Sequence, residues 1–392
     1  MAINFELVEE ELRVQPVIKV IGVGGAGGNA VKHMIEESLT GVEFVVANTD
    51  LMALNTNPAP VKIQLGKRLT GGKGAGGDPR IGKEAAEESE KEIKEVLEGT
   101  DMVFITAGMG GGTGTGAAPV IAKICKEMQI LTVGVVTKPF HFEHKRVKIA
   151  EEGIEELSKY VDALIVISND KIMSFGPPEE NFYSALKKAD NVLYYAVKGI
   201  SDVVLCPGHI NLDFADVKAV LSDSGGLALM GMGEASGENR AEEALHMAIS
   251  NPFLEDLSIK GARRVLINIT VDPTSLTTRE VQLINSRIAK EVAPDAMVYH
   301  GLVFNEGLGD LLRVTVIATG LRPELEEVEE ERDEAKEDEK VLKFKPKSIS
   351  EEEEVLTTVK KARKLRVGGF KDWELDMENY LDIPTFMRKN AD

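Results

Sequence analysis

The chain has 392 residues, 43% of them hydrophobic but only 5% aromatic, and carries a formal net charge of −19. That length allows two domains and a tail with a mainly aliphatic core. The acidic balance excludes a general nucleic-acid binder, whose phosphate contacts need clustered Lys and Arg, and argues against direct adsorption to anionic lipid. Apolar runs at 17–22, 44–48, 61–65, 102–107, 131–137 and 163–168 read as strands alternating with helical runs. Several are apolar throughout, as in a parallel sheet covered by helices on both faces.

Three glycine loops follow in that frame. Gly22 to Gly27 satisfies G-x-G-x-x-G between the first strand and a helix through Ala30 and Ile35. Gly71 to Gly77 closes into another helix, with Asp78 as N-cap and Pro79 as its first residue. Gly110-Gly111-Gly112-Thr113-Gly114-Thr115-Gly116 lies between the strand at 102–107 and a helical run from Ala117. Loops with so little side-chain bulk let backbone N–H groups close around an anion, and the threonine hydroxyls add donors. The P-loop pattern fails, because Gly77 to Lys83 is followed by Glu84 where a hydroxyl is needed. Any one loop also reads as a tight turn. Gly22 to Gly27 alone also suits an NAD(P) oxidoreductase, but three loops each opening a helix fit a nucleotide with several phosphates.

A helical stretch at 180–204 carries Leu186, Val192, Leu193, Ala196, Val197 and Ile200 in a broad stripe. From about 211 to 320 a smaller α/β unit is expected. It has strands at 265–271, 297–304 and 313–318 and a helix opened by the capping box Thr277/Glu280, with Leu276 and Val281 as staple. Globular patterning stops near Leu321. Residues 324–340 hold eleven acids and three bases, and the next thirty turn basic apart from 351–354. The segment reads as a disordered linker, with a charged helix as the alternative. Trp373, Met377, Tyr380 and Leu381 then return at helical spacing, as in a recognition peptide. Glu6, Glu9, Glu10 and Glu11 interrupt the N-terminus as no signal peptide would, and no run reaches ~18 apolar residues, so no membrane insertion is expected. Cys125 and Cys206 sit in apolar contexts without metal spacing, as buried thiols in a reducing compartment.

Gly110 to Gly116 matches the tubulin-type nucleotide signature. Together with Gly24 to Asn29, Ala47-Asn48-Thr49-Asp50 and Asn211-Leu212-Asp213-Phe214-Ala215-Asp216, the chain resembles the FtsZ family of prokaryotic tubulin relatives that build the division ring. The resemblance covers about 14–321 and resumes at 380–389. It implies a tubulin-like α/β fold: an N-terminal extension (1–13), a GTP-binding domain (14–179), a central helix (180–204), a GTPase-activating domain (205–321), the linker (322–372) and an adaptor-binding peptide (373–392). It also implies GTP/GDP and Mg²⁺ as cofactors, the metal bound through the phosphates and not by protein ligands. Phosphate contacts fall on Gly25, Ala26, Gly27, Gly28 and Asn29, on Ala75, Gly76 and Gly77, and on Gly110, Gly111, Gly112, Thr113, Gly114, Thr115 and Gly116. Glu143 and Arg146 fall on the ribose; the segment between them is one residue shorter than in common members, which leaves Lys145 as the alternative to Arg146.

Guanine offers two adjacent donors, N1–H and the 2-amino group, which one carboxylate accepts together. Asp190 takes that part by resemblance, with Asn29 and Asn169 as further base contacts; Leu186 stands where many relatives stack a Phe. Asn211, Asp213 and Asp216 correspond to the loop that enters the next subunit's pocket and completes hydrolysis there. Read alone, Asp-x-x-Asp is an exposed loop or helix cap. The implied protein is a polymerisation-dependent GTPase, cytoplasmic at the mid-cell ring, a head-to-tail homopolymer. Asp382, Ile383, Pro384, Phe386, Met387 and Arg388 would bind membrane-tethering and regulatory division proteins. A scaffold that binds GTP without hydrolysing it is the rival reading.

Overall fold

A computed structural model describes residues 15–174, 181–205, 213–222, 226–250 and 259–321. Its elements in chain order are β1 (Ile18–Val23), α1 (Gly24–Glu36), β2 (Glu43–Asn48), α2 (Leu51–Thr56), β3 (Val61–Gln64), α3 (Lys67–Thr70), α4 (Pro79–Glu88), α5 (Glu90–Leu97), β4 (Met102–Gly108), α6 (Thr113–Glu127) and β5 (Leu131–Lys138). A 3-10 turn (His141–Glu143) precedes α7 (Lys145–Ser158), β6 (Ala163–Ser168), α8 (Asn169–Ser174) and the long α9 (Phe182–Leu205). Then come α10 (Phe214–Ser222), β7 (Gly226–Ala235), α11 (Arg240–Ile249), β8 (Arg264–Val271), α12 (Thr278–Glu291), β9 (Met297–Phe304) and β10 (Leu312–Thr319).

Among the described residues the strands form one sheet in the order β3-β2-β1-β4-β5-β6-β7-β10-β8-β9. Pairing from β3 to β6 is parallel throughout. The β6–β7 junction is held by only two pairs, Ala163↔Gly226 and Leu164↔Leu227. β10 then runs antiparallel to both β7 and β8, and β9 parallel to β8. The period of two sends alternate residues to opposite faces. Val20, Phe104, Val133 and Ile165 pack with Val31 and Met34 of α1 and Leu193, Val197 and Ile200 of α9. Ile21, Ile105 and Leu164 pack on the other side with Ile121 of α6 and Ile93 and Leu97. A third cluster joins β7, β8 and β10 to Leu245 of α11 and to Ile284 and Ile288 of α12.

The expected strands stand within a residue or two of their places, and the helix at 180–204 is α9. Two helices begin earlier than the sequence suggests. α1 starts at Gly24 and α6 at Thr113, so the glycine-rich motifs are partly first turns of helix and not loops. β7, α10 and α11 come without a sequence expectation. The Thr277/Glu280 capping box forms in both directions. Cys125 is buried and its thiol is pushed up to about 12 by that burial. Residues 1–13, Cys206, Asn211, the linker 322–372 and the peptide 373–392 lie outside the described residues, as does the Leu186 side chain. Among the described residues, no helix is long and apolar enough to cross a membrane.

One ion cluster ties the second part of the sheet together. The Arg240 side chain is only 4% exposed. Its Nε donates to Glu280 Oε1 (2.6 Å), Nη1 to the Asp310 carbonyl (2.7 Å) and Nη2 to the Ser275 carbonyl (2.6 Å). The Arg240 hydrogen bond holds the Glu280 carboxyl down at about 2, while that same carboxylate caps α12 through the Thr277 N–H. Removing the guanidinium leaves a charge without its partner beside a helix start. Arg240→Met is therefore expected to lower unfolding stability by about 3 kcal/mol in a urea titration; a loss below about 1 kcal/mol contradicts this account.

Candidate functional site

The sheet's order reverses between β1 and β4, whose following helices go to different neighbours. In open α/β sheets, ligands bind at such a switch point beyond the strand C-terminal ends. α1 leaves β1 there and α6 leaves β4. Neither helix has a side-chain cap or an acidic first turn. Elsewhere Asp50 caps α2 and Asp78 caps α4, both by accepting backbone N–H groups. The two uncapped N-termini therefore aim free N–H groups and positive dipole ends at one crevice.

The glycines divide into two kinds. At Gly27 an added Cβ would lie 2.2 Å from the Thr106 carbonyl oxygen, at Gly24 2.9 Å from Gly114 N, and at Gly116 1.9 Å from the Pro79 carbonyl oxygen. At Gly112 it would lie 2.9 Å from Asp78 N. These positions let α1, α4 and α6 touch backbone to backbone. Gly25, Gly76, Gly77 and Gly111 instead meet nothing within 4 Å. They border open space that a ligand can fill, and with Ala26 and Asn29, which are exposed, they form the rim of the cradle. Ala75 is buried under Gly112, and Gly28 is held by its carbonyl, which accepts from Asn57 Nδ2 (2.7 Å). The threonines brace the site from within. Thr115 is buried and its Oγ1 accepts the Gly110 N–H (2.9 Å), while Thr113 and Thr49 share a hydroxyl hydrogen bond of 2.6 Å. Thr49 thereby ties its own motif to the phosphate signature, and Asp170, whose Oδ2 accepts the His141 N–H (2.9 Å), is a supporting group with no motif of its own.

Glu143 and Arg146 come together at the start of α7. Glu143 Oε1 accepts the Phe140 N–H (3.0 Å) and Oε2 accepts from Arg146 Nη1 (2.7 Å). Between them His144 takes φ 45°, a left-handed value unusual for a side chain with a Cβ. Arg146 packs against the phosphate signature: a Cβ on Gly110 (φ 91°) would lie 2.7 Å from the Arg146 carbonyl oxygen. The turn through His144 thus seats the Arg146 backbone beside Gly110. Asn169 opens α8, and its Oδ1 is buried without a protein hydrogen-bond partner. Asp190 lies half-buried on α9, its carboxyl pushed up to about 6 by burial, with His33 opposing the rise.

Asp213 and Asp216 are not brought to this crevice. They follow the far end of α9, which runs about 22 Å from Asp190 to Leu205 at 1.5 Å per residue. They form a reciprocal cap on α10: Asp213 Oδ1 accepts the Asp216 N–H (2.7 Å) and Asp216 Oδ2 accepts the Asp213 N–H (3.3 Å). The cap reading of Asp-x-x-Asp is thus realised, and one oxygen of each carboxylate is left over.

A parallel sheet with uncapped helices at its switch point, joined by a long helix to a mixed sheet, defines the tubulin-like GTPase class. Residues 17–177 match the Tubulin/FtsZ family, GTPase domain, and residues 226–322 match the FtsZ family, C-terminal domain. Cell division protein FtsZ of Pseudomonas putida is 47% identical over 400 residues, 99% of this chain and 100% of that protein. That of Coxiella burnetii is 53% identical over 305 residues, 78% of each. The solved FtsZ dimer from M. jannaschii superposes with a TM-score of 0.74 at 44% identity, covering 79% of this chain and 89% of that one. A protofilament of CetZ2 from Haloferax volcanii shares the fold at 22% identity and a TM-score of 0.66. The chain belongs to the FtsZ family of cell-division proteins, and it is a GTPase with a tubulin-type nucleotide domain. The oxidoreductase reading of Gly22 to Gly27 falls with that result, and Gly22 and Gly27 serve close packing.

The two kinds of glycine make separable predictions. Gly116→Ala forces apart α4 and α6 and is expected to cost about 1–3 kcal/mol of folding stability. Gly111→Ala, with open space at its Cβ and no positive φ, is expected to leave stability within about 0.5 kcal/mol yet weaken nucleotide binding. Chemical denaturation and nucleotide titration of both variants check this; equal stability losses would contradict the division.

Proposed function

We propose that GTP lies in the crevice with its phosphates against Gly25 to Asn29, Ala75 to Gly77 and Gly110 to Gly116. Glu143 and Arg146 meet its ribose, and Asp190, Asn29 and Asn169 its guanine. The fit is supported by the two uncapped helix starts, the open glycines and the unpartnered Asn169 Oδ1. Mg²⁺ would rest on phosphate oxygens and offset their charge; among the described residues no cluster of three His, Cys, Asp or Glu could hold a metal. We place the GTP-binding domain at 14–179, the central helix at 180–204 and the activating domain at 205–321, flanked by an N-terminal extension (1–13), a charged linker (322–372) and a tail peptide (373–392).

The observation that carries the functional reading is the separation of cradle and acidic pair by the length of α9. Asp213 and Asp216 belong to the phosphates of another subunit. Head-to-tail stacking would bring them, with Asn211, onto the neighbour's γ-phosphate. There their free carboxylate oxygens would orient the attacking water and accept its proton. Such a heterologous contact does not close on itself and yields filaments. Met52 (78% exposed), Leu69 (46%) and Phe142 (60%), which follow β2, β3 and β5 at the sheet's cradle end, are exposed apolar side chains that such stacking would cover. The filament would assemble the division ring at mid-cell in the cytoplasm. Asp382, Ile383, Pro384, Phe386, Met387 and Arg388 would bind membrane-tethering and regulatory division proteins.

GTPase rate per subunit is expected to rise from near zero above a threshold protein concentration. Asp213→Asn keeps a side chain that caps α10 but removes the carboxylate; it should bind GTP normally, lose ~10²–10⁴-fold in hydrolysis and poison turnover when mixed with intact protein. A concentration-independent rate would sink the shared site.

Guanine recognition carries a pH signature. Only the ionised Asp190 accepts both guanine donors, and its carboxyl titrates at about 6. GDP affinity should therefore hold above pH 6 and fall as pH drops through it. Asp190→Asn should remove that fall and weaken binding about 5- to 150-fold. A pH profile unchanged in the variant would assign base reading elsewhere.

Deleting residues 373–392 is expected to abolish adaptor binding while leaving GTPase activity near its full value. Pull-down with the membrane-tethering partners against a parallel phosphate-release assay checks this, and a GTPase loss matching the binding loss would reject a separate tail module.

A further inference from the structure

His33 and Asn191 join the two helices that carry the two ends of the nucleotide site. His33 stands on α1, whose first turn borders the phosphate cradle. Its Nε2–H donates to Asn191 Oδ1 on α9 (2.5 Å). An amide oxygen can only accept, so Nε2 carries the proton. The same ring meets Tyr194 edge-on, with centroids 6.1 Å apart. Asn191 is the residue after Asp190, and Tyr194 lies one helical turn beyond it on the same face. The imidazole therefore grips α9 beside the carboxylate and one turn below it.

This contact is not needed to bring the helices together. Val31 and Met34 of α1 and Leu193 and Val197 of α9 already share one buried cluster. Apolar packing is non-directional, and it tolerates a small rotation of α9 about its axis. A directed hydrogen bond to Asn191 does not. Among the described residues no hydrogen bond orients Asp190, so its aim depends on the rotation of its helix.

We propose that His33 is a positioning residue for guanine recognition, setting the rotation of α9 through Asn191 so that Asp190 meets both base donors at once. The proposal rests on the reading of Asp190 as the base contact. A carboxylate that accepts two parallel N–H groups demands a fixed plane; one that accepts a single N–H tolerates tilt. Loss of His33 should thus fall on the second bond more than on the first. Hypoxanthine keeps N1–H but lacks the 2-amino group, so inosine diphosphate measures the first bond alone.

The test compares GDP and IDP dissociation constants by equilibrium dialysis on the full chain; the diphosphates keep hydrolysis out of the measurement. The intact protein should prefer GDP. His33→Leu should weaken GDP about tenfold, one hydrogen bond to a charged group, while changing IDP by no more than about twofold, so the preference collapses. His33→Gln, whose amide Nε2 can still donate to Asn191, should keep most of it. Asn191→Ala should reproduce the collapse from the other side, which covers a His33→Leu variant that does not fold. Equal losses for GDP and IDP, or no loss for either, would overturn the proposal and leave His33 a plain helix contact. Asp190→Asn is the separate control: if it leaves the GDP preference intact, the reading of Asp190 fails, and with it any role for His33 in aiming that residue.

Discussion

Backbone touches backbone where α6 begins. A Cβ on Gly116 would sit 1.9 Å from the Pro79 carbonyl oxygen, one on Gly114 2.6 Å from the Gly108 carbonyl oxygen, and one on Gly27 2.2 Å from the Thr106 carbonyl oxygen. No side chain fits between these elements, and their convergence depends on that. Two helix N-termini can share one anion only if they approach within a few ångströms. The approach places glycines inside helices, each at about 1 kcal/mol relative to alanine. Flanking core offsets that cost: Val23, Ala107, Ala117 and Ile121 are buried on one face of the sheet.

The second constraint is the length of α9. A helix of 24 residues spans about 36 Å, the width of a small domain. It packs along α1 and the sheet by Leu193, Ala196, Val197 and Ile200, and Leu205 at its far end reaches the turn at Gly41, where a Cβ would lie 2.6 Å from it. Held along its length, it sets its own far end at Leu205 away from the cradle at the start of α1. Heterologous contacts between opposite ends of a molecule do not close and give open polymers.

The alternating strands were legible because a parallel sheet buried on both faces needs uninterrupted apolar runs, and Val103 to Ala107 or Leu131 to Val136 cannot be much else. The Asp78-Pro79 start and the Thr277/Glu280 box were legible because caps act locally. The starts of α1 and α6 were not: glycine propensity argues for loop, and tertiary packing overrides it. β7 was hidden for a related reason. Its sequence GLALMGMGEA has glycines where alternation should show, and at Gly233 a Cβ would lie 2.0 Å from the Ala244 carbonyl oxygen of α11. The glycine that blurs the strand is the one that seats the helix. The candidate site residues stood out as motifs, but which glycines border open space and which touch a neighbour depends on contacts far apart in sequence.

The segment after Pro139 shows how a local departure is absorbed. Glu143 and Arg146 meet at the start of α7, and His144 between them takes the left-handed backbone at φ 45°. Strain of that kind persists only where the surroundings over-determine it. Here they do: Glu143 holds the Phe140 N–H and Arg146, Asp170 holds the His141 N–H, and the Phe140 and Phe142 rings stack at 5.0 Å. Arg146 spends one of its five guanidinium donors on Glu143 and keeps others for an oxygen-rich ligand. Its backbone is pressed against Gly110, so the guanidinium is tethered at the phosphate signature. Arg146 is thus fixed by both a carboxylate and a backbone contact, and its remaining guanidinium donors are pre-organised.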